Sequence, residues 1–133
     1  EFFLGKRSDL NDVWQFPQGG IDEGEEPKEA LYRELEEEIG TNEIEIIAKY
    51  PDWIKYDFPP IIAKKMYPYD GQVQRYYLVR LKSKAKIDLT THKHVEFEDY
   101  TFTDLNEVVK TTKQIKKPVY KKVLKYFQKE GFI

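Results

Sequence analysis

Apolar residues recur at every fourth position at Leu31, Leu35 and Ile39, and that spacing predicts a helix with one buried stripe. The ends of the helix are marked as well. Pro27 suits the first turn, where its missing N–H would have no partner anyway. Glu25, Glu26 and Glu29 favour the positive end of the helix dipole, and Gly40 is placed to cap the C-terminus. A second amphipathic helix is predicted from Pro118 to Lys129, with Val119, Val123, Leu124 and Phe127 on its apolar side. A short one runs from Asp104 to Val109, started by Thr103 or Asp104 as cap.

Alternating and β-branched stretches predict strands over Glu1–Lys6, Glu43–Tyr50 and Val95–Phe102. The strongest such stretch is Gln72–Leu81, read as one continuous strand. Asp52–Pro60 is aromatic and extended, since residues before proline are pushed away from helix. Ser8–Asp12 reads as a turn, and Pro68, Asp70 and Gly71 as a loop. Ile61–Tyr69 carries no clear periodicity. Lys82–His94 is mostly polar, with Ile87 and Leu89 as apolar anchors, and Trp14 and Phe16 read as core. The pattern by itself supports an α-plus-β mixture in a single domain over residues 1–133. The chain opens at Glu1 in what reads as a strand already under way, so an N-terminal segment is expected to be missing from it.

Composition narrows the class. The 133 residues are 40% hydrophobic and 15% aromatic, which suits a folded globule. There is no cysteine, so disulfides and thiolate metal sites are excluded and a reducing cytoplasm is expected. No apolar run reaches membrane-spanning length.

Charge changes the picture more. From Ile21 to Gly40 stand nine acids and two bases, a local net of −7 in a chain whose total is −2. Like charge at this density repels itself unless a cation sits within it. Glu34, Glu37 and Glu38 fall on one helix face beside the apolar stripe, an oxygen-donor set suited to hard divalent cations such as Mg²⁺ or Mn²⁺. At the other extreme, Lys110–Lys129 holds eight lysines and no acid. Those lysines are either a solvated helix face or a positive rim for polyphosphate or an RNA backbone. His92 and His94 alternate in a polar segment and read as surface groups.

The spacing of Gly19, Glu25, Arg33, Glu34, Leu35, Glu37, Glu38 and Gly40 resembles the Nudix box. One departure is Thr41, where the family usually has an aliphatic packing residue. The resemblance implies an α/β fold, a mixed sheet sandwiched between helices, lacking its opening strand here. It implies hydrolysis of a diphosphate linkage with more than one Mg²⁺ or Mn²⁺ ion. Carried over by position, the metal ligands are Glu34, Glu37 and Glu38, with the Gly20 carbonyl as a further oxygen. Arg33 is expected on another helix face from Glu37 and Glu38, pairing with Glu25 to fix the loop. For the general base the candidates are Glu34, Glu96 and Glu98; alternation would put the last two on one side of a strand, and the resemblance favours Glu96.

The flanks resemble one Nudix subgroup over nearly the whole chain. Trp14–Ile21, Trp53–Tyr56, Gly71–Tyr77 and Val119–Val123 are similar to bacterial RNA 5′-pyrophosphohydrolases and to the related plant-type diadenosine tetraphosphate hydrolases. The implied activity is removal of pyrophosphate from 5′-triphosphorylated RNA, leaving a 5′-monophosphate and triggering mRNA decay. Arg7, Gln18, Lys55, Tyr56, Gln74, Arg75 and Lys116 become the substrate-binding candidates, Tyr56 through its hydroxyl unless it is a core tyrosine. Ile115 stands where some members have a base-stacking aromatic, which implies looser preference at the second nucleotide. A dinucleoside polyphosphate hydrolase is the alternative enzyme. A non-catalytic nucleotide-binding module is disfavoured by the presence of all three box glutamates. A monomer without membrane attachment is expected.

Overall fold

The computed structural model describes residues 1–69, 71–113 and 116–133, with the side chains of Tyr56 and Gln72 outside the description. The proposed roles of the Tyr56 hydroxyl and of Ile115 therefore lie outside the described residues.

Strand β1 (Phe2–Arg7) is the centre of a three-stranded antiparallel sheet. It pairs with β2 (Trp14–Gln15) on one side and with β7 (Phe97–Thr103) on the other. Side chains alternate across a strand, so β1 feeds two cores. Phe2 and Leu4 pack with Val108, Tyr120 and Leu124, while Phe3 packs with Leu35, Ile39, Ile44 and Phe97. The first core belongs to α3 (Leu105–Thr111) and α4 (Lys117–Lys129), the second to α1 (Pro27–Ile39). Helices thus cover both faces of the sheet, the layered α/β arrangement expected.

Two smaller antiparallel pairs complete the described ladders: β3 (Ile44–Lys49) with β6 (Tyr77–Leu81), and β4 (Ile54–Asp57) with β5 (Gly71–Gln74). The run expected as one strand over 72–81 is therefore two. Its β-forming residues continue, but the partner changes at Arg75 and Tyr76. Periodicity reports burial and is blind to which strand lies alongside. The Tyr76 carbonyl accepts from the Tyr50 N–H at 2.9 Å at this switch. Residues 60–65 form a short helix, α2 (Pro60–Lys65), that the pattern left unassigned; it buries none of its side chains, so it has no apolar period to display.

Helix ends follow the local signals. α1 has Pro27 in its first turn and Gly40 at its C-terminus with φ +78°. That left-handed geometry is costly for any residue with a Cβ, and a Cβ at Gly40 would also run into the Asp88 carbonyl oxygen. Asp104 caps α3 by accepting from the Glu107 N–H at 2.9 Å. Ile87 and Leu89 anchor the polar 82–94 segment on the second core, as their spacing suggested. Tyr120, read as neither core nor cap from sequence, is 1% exposed, and its hydroxyl accepts from the Phe16 N–H at 3.1 Å.

Candidate active site

The acidic loop and helix are organised by one cation, Arg33. Its Nε and Nη2 donate to Glu25 at 2.8 and 2.9 Å, and Nη2 also donates to the Gly20 carbonyl at 2.7 Å. The second Glu25 contact is shared with the Asp22 N–H at 2.9 Å. Glu25 is held well below the ordinary carboxylate range, at about 2, chiefly by Arg33 and then by that N–H. Arg33 is held above its own ordinary value by the same bond. This part of the expectation holds. The placement of Arg33 on a face away from Glu37 does not: Nη1 donates to Glu34 at 2.8 Å and to Glu37 at 3.3 Å. Residues four apart on a helix are neighbours, and the long guanidinium spans the rest.

Around this hub the carboxylates line a cavity of about 230 Å³ between α1, the 18–20 loop and the 94–96 segment. Glu34, Glu37 and Glu38 face it from the helix, and Glu96 from the opposite wall, with Gln18, Gly19, Gly20 and His94 completing the lining. A Cβ at Gly19 would collide with the Glu34 carboxyl, so a larger residue here would displace that carboxyl from its place in the cavity. Glu38 is 5% exposed, and its Oε2 has no hydrogen-bond partner. Burial pushes its carboxyl up to about 9; the Glu34 and Glu96 charges add to this, and a backbone hydrogen bond from Gln18 opposes it. Glu34 is also raised, by burial first, with Arg33 pulling the other way.

A buried carboxylate oxygen without a partner is costly. Three more carboxylates nearby make a proton or a cation the natural occupant. The donors are all oxygens, which fits a hard divalent cation. Among the described residues no three acidic or imidazole groups converge as a ready-made cage; Glu34 and Glu37 each give one oxygen to Arg33 instead.

The predicted residues separate into two groups. Gln18 lines the cavity, and its side chain accepts from Lys116. Arg7 binds Asp9 through two hydrogen bonds of 2.8 and 2.6 Å. Lys55, Gln74 and Arg75 are not in the lining. Lys55 sits exposed on β4, Gln74 accepts from the Tyr76 hydroxyl at 2.6 Å, and the Arg75 guanidinium lies 4.8 Å from the Trp53 ring centroid. Glu96 and Glu98 do not share a face as expected. Glu96 precedes β7 in the cavity wall, whereas Glu98 pairs with Lys6 at 3.6 Å. A register shift of the β1–β7 ladder beside Arg7 breaks the alternation there.

Two residues were missed. His94 lines the cavity with Nε2 3.9 Å from Glu96, although its side chain is 81% exposed; a surface histidine carries no sequence mark of this. Gln15 is 2% exposed and touches Lys116; its signal was a lone amide between Trp14 and Phe16.

The profile of the NUDIX domain matches residues 1–125. The chain is 64% identical to an RNA pyrophosphohydrolase of Nitratiruptor over 132 residues, 99% of this chain and 84% of that protein. It is 57% identical to an RNA pyrophosphohydrolase of Campylobacter jejuni, covering 100% of this chain and 85% of the relative. Among solved structures it is similar to the dihydroneopterin triphosphate pyrophosphohydrolase of E. coli, with TM-score 0.72 over 92% of this chain and 85% of the other. At 19% identity that last likeness is one of fold.

Proposed function

Since the chain belongs to the NUDIX family, we propose that it hydrolyses the 5′-triphosphate end of RNA, releasing pyrophosphate and leaving a 5′-monophosphate. The observation that carries this reading is the buried, unpartnered Glu38 oxygen in a cavity faced by Glu34, Glu37 and Glu96. The names of the relatives at 57–64% identity point to RNA as the substrate.

The chain's own groups divide the work. Glu34, Glu37 and Glu38 would hold the ions, with the Gly20 carbonyl at the loop beside them. The chemistry supplied by Mg²⁺ or Mn²⁺, in more than one copy, is neutralisation of the phosphate oxygens and acidification of the attacking water. Glu96, across the cavity, takes the proton of that water as general base. Arg33, locked to Glu25 and Gly20, sets the loop against the helix, so its loss misplaces the carboxylates. Gln18, Lys116 and Arg7 form the polyphosphate side. Lys55 on β4, Gln74 on β5 and Arg75 just after it lie away from the cavity, and contacts from them would be to the RNA beyond its phosphates. Residues 1–133 act as one domain and as a monomer in the cytoplasm. Among the described residues no helix is long and apolar enough to cross a membrane.

A short RNA with a labelled 5′-triphosphate tests this, with diadenosine tetraphosphate run in parallel. Release of pyrophosphate and monophosphorylated RNA, faster than dinucleotide cleavage, is the expected result. Cleavage of the dinucleotide alone would remove RNA as the substrate. No turnover of either would leave a nucleotide-binding module.

A further inference from the structure

Lys116 is a partly buried ammonium. It stands immediately before α4, where Nζ donates to Oε1 of Gln18 and, at 3.3 Å, to Oε1 of Gln15. Among the described residues no Asp or Glu is close enough to form an ion pair with it. Burial, followed by the positive charge of Arg7, brings its pKa down to about 8, while Glu38 pulls the other way. Desolvating an ammonium costs several kcal/mol, so buried lysines are ordinarily paired with a carboxylate. Here both acceptors are neutral amides.

Gln15 makes the choice of an amide informative. It is 2% exposed, sits in β2 opposite Gly5 and is absent from the cavity lining. Glutamate has the same shape and would bind the ammonium more strongly, by a charge-assisted bond. It would also cancel the charge. An amide holds the lysine in place and leaves its field intact. The segment is tied to α4 a second time by the Phe16 N–H and the Tyr120 hydroxyl, so retention of the segment does not depend on Gln15 alone.

We propose that Gln15 is a positioning residue whose carboxamide keeps Lys116 an uncompensated cation beside the carboxylate cavity, where it attracts the phosphates of the substrate. The inference rests on the reading of the cavity as a polyphosphate site. Gln18 links the two, with its side chain on Lys116 and its backbone toward Glu38.

The test is Gln15→Glu, read by kinetics on 5′-triphosphorylated RNA, by Mg²⁺-dependent binding of inorganic tripolyphosphate, and by thermal melting. The expected result is a KM raised about tenfold, kcat within about twofold, weaker tripolyphosphate binding, and a melting temperature equal to or above wild type. A merely structural glutamine would give unchanged KM in this variant, and that result overturns the proposal. Lys116→Met supplies the second arm. Its KM effect should match that of Gln15→Glu, and the double variant should add nothing further; full additivity overturns the proposal, and where Gln15→Glu folds poorly an unchanged KM in Lys116→Met overturns it. Failure of the wild type on RNA, with tripolyphosphate binding still weakened by Gln15→Glu, would remove the RNA reading and keep the cradle.

Discussion

The molecule contains two helices of 13 residues, each with a proline in its first turn, and they use charge in opposite ways. In α1 three of the five acids turn inward, while Glu29 and Glu36 stay exposed. Glu38 is buried, and Glu34 and Glu37 are half-buried against Arg33. In α4 the inward face is Tyr120, Val123, Leu124 and Phe127, while Lys121, Lys122, Lys125 and Lys129 are exposed. Both sequences show a charge run beside an apolar stripe. The lesson is that the charge count does not distinguish a site from a solvated face; the angle between charge and stripe does. A solvated lysine face is inexpensive, whereas a buried carboxylate costs folding energy and persists where something binds it.

The sharpest way to break this contrast is to neutralise one charge on each helix. Glu37→Gln should lower kcat/KM for pyrophosphate release from triphosphorylated RNA by at least about 100-fold, with the fold retained by circular dichroism. Lys125→Gln should leave it within about twofold. Similar effects for the two would mean that α4 works as a substrate rim.

Next in size is the apolar side. Phe127→Ala on α4 should cost about 3–5 kcal/mol of stability in denaturant titration, because Phe127 is 2% exposed in the core with Tyr50, Ile54 and Val123. A loss below about 1 kcal/mol would show that α4 is not the structural helix of the pair.

The pH dependence of stability sharpens the comparison further. Glu38 is pushed up to about 9 in the folded protein against 4.5 for an ordinary glutamate. Between those values the folded state keeps the proton and the unfolded state has lost it. The contribution is thus fully present below about 4.5 and is lost as pH rises toward about 9. Without divalent cations the melting temperature should fall across that window, by several degrees, and Glu38→Gln should flatten the slope. An unchanged slope in the variant would mean that Glu38 is not the group responsible.

The smallest effect expected is at the tether between the two regions. Tyr120→Phe removes the acceptor of the Phe16 N–H and should cost about 1–2 kcal/mol, read by denaturant midpoint. No loss would show that the tether contributes nothing to holding the segment that leads into the cavity.

Much of the acidic half was legible in the residues themselves. Pro27, Gly40 and the Leu31–Leu35–Ile39 stripe fixed α1 to its observed ends, because caps and periodicity act within a few residues. The box spacing marked the family, since its chemistry is carried on one loop and one helix. Less could be read where distant segments meet. The division of 72–81 between two partners, the separation of Glu96 from Glu98 and the burial of Gln15 all depend on which elements lie alongside one another. Local propensity and periodicity are properties of one segment and its own neighbours. Pairing, register and the burial of a single polar atom are set by long-range packing, and for this protein the folded structure alone decided them.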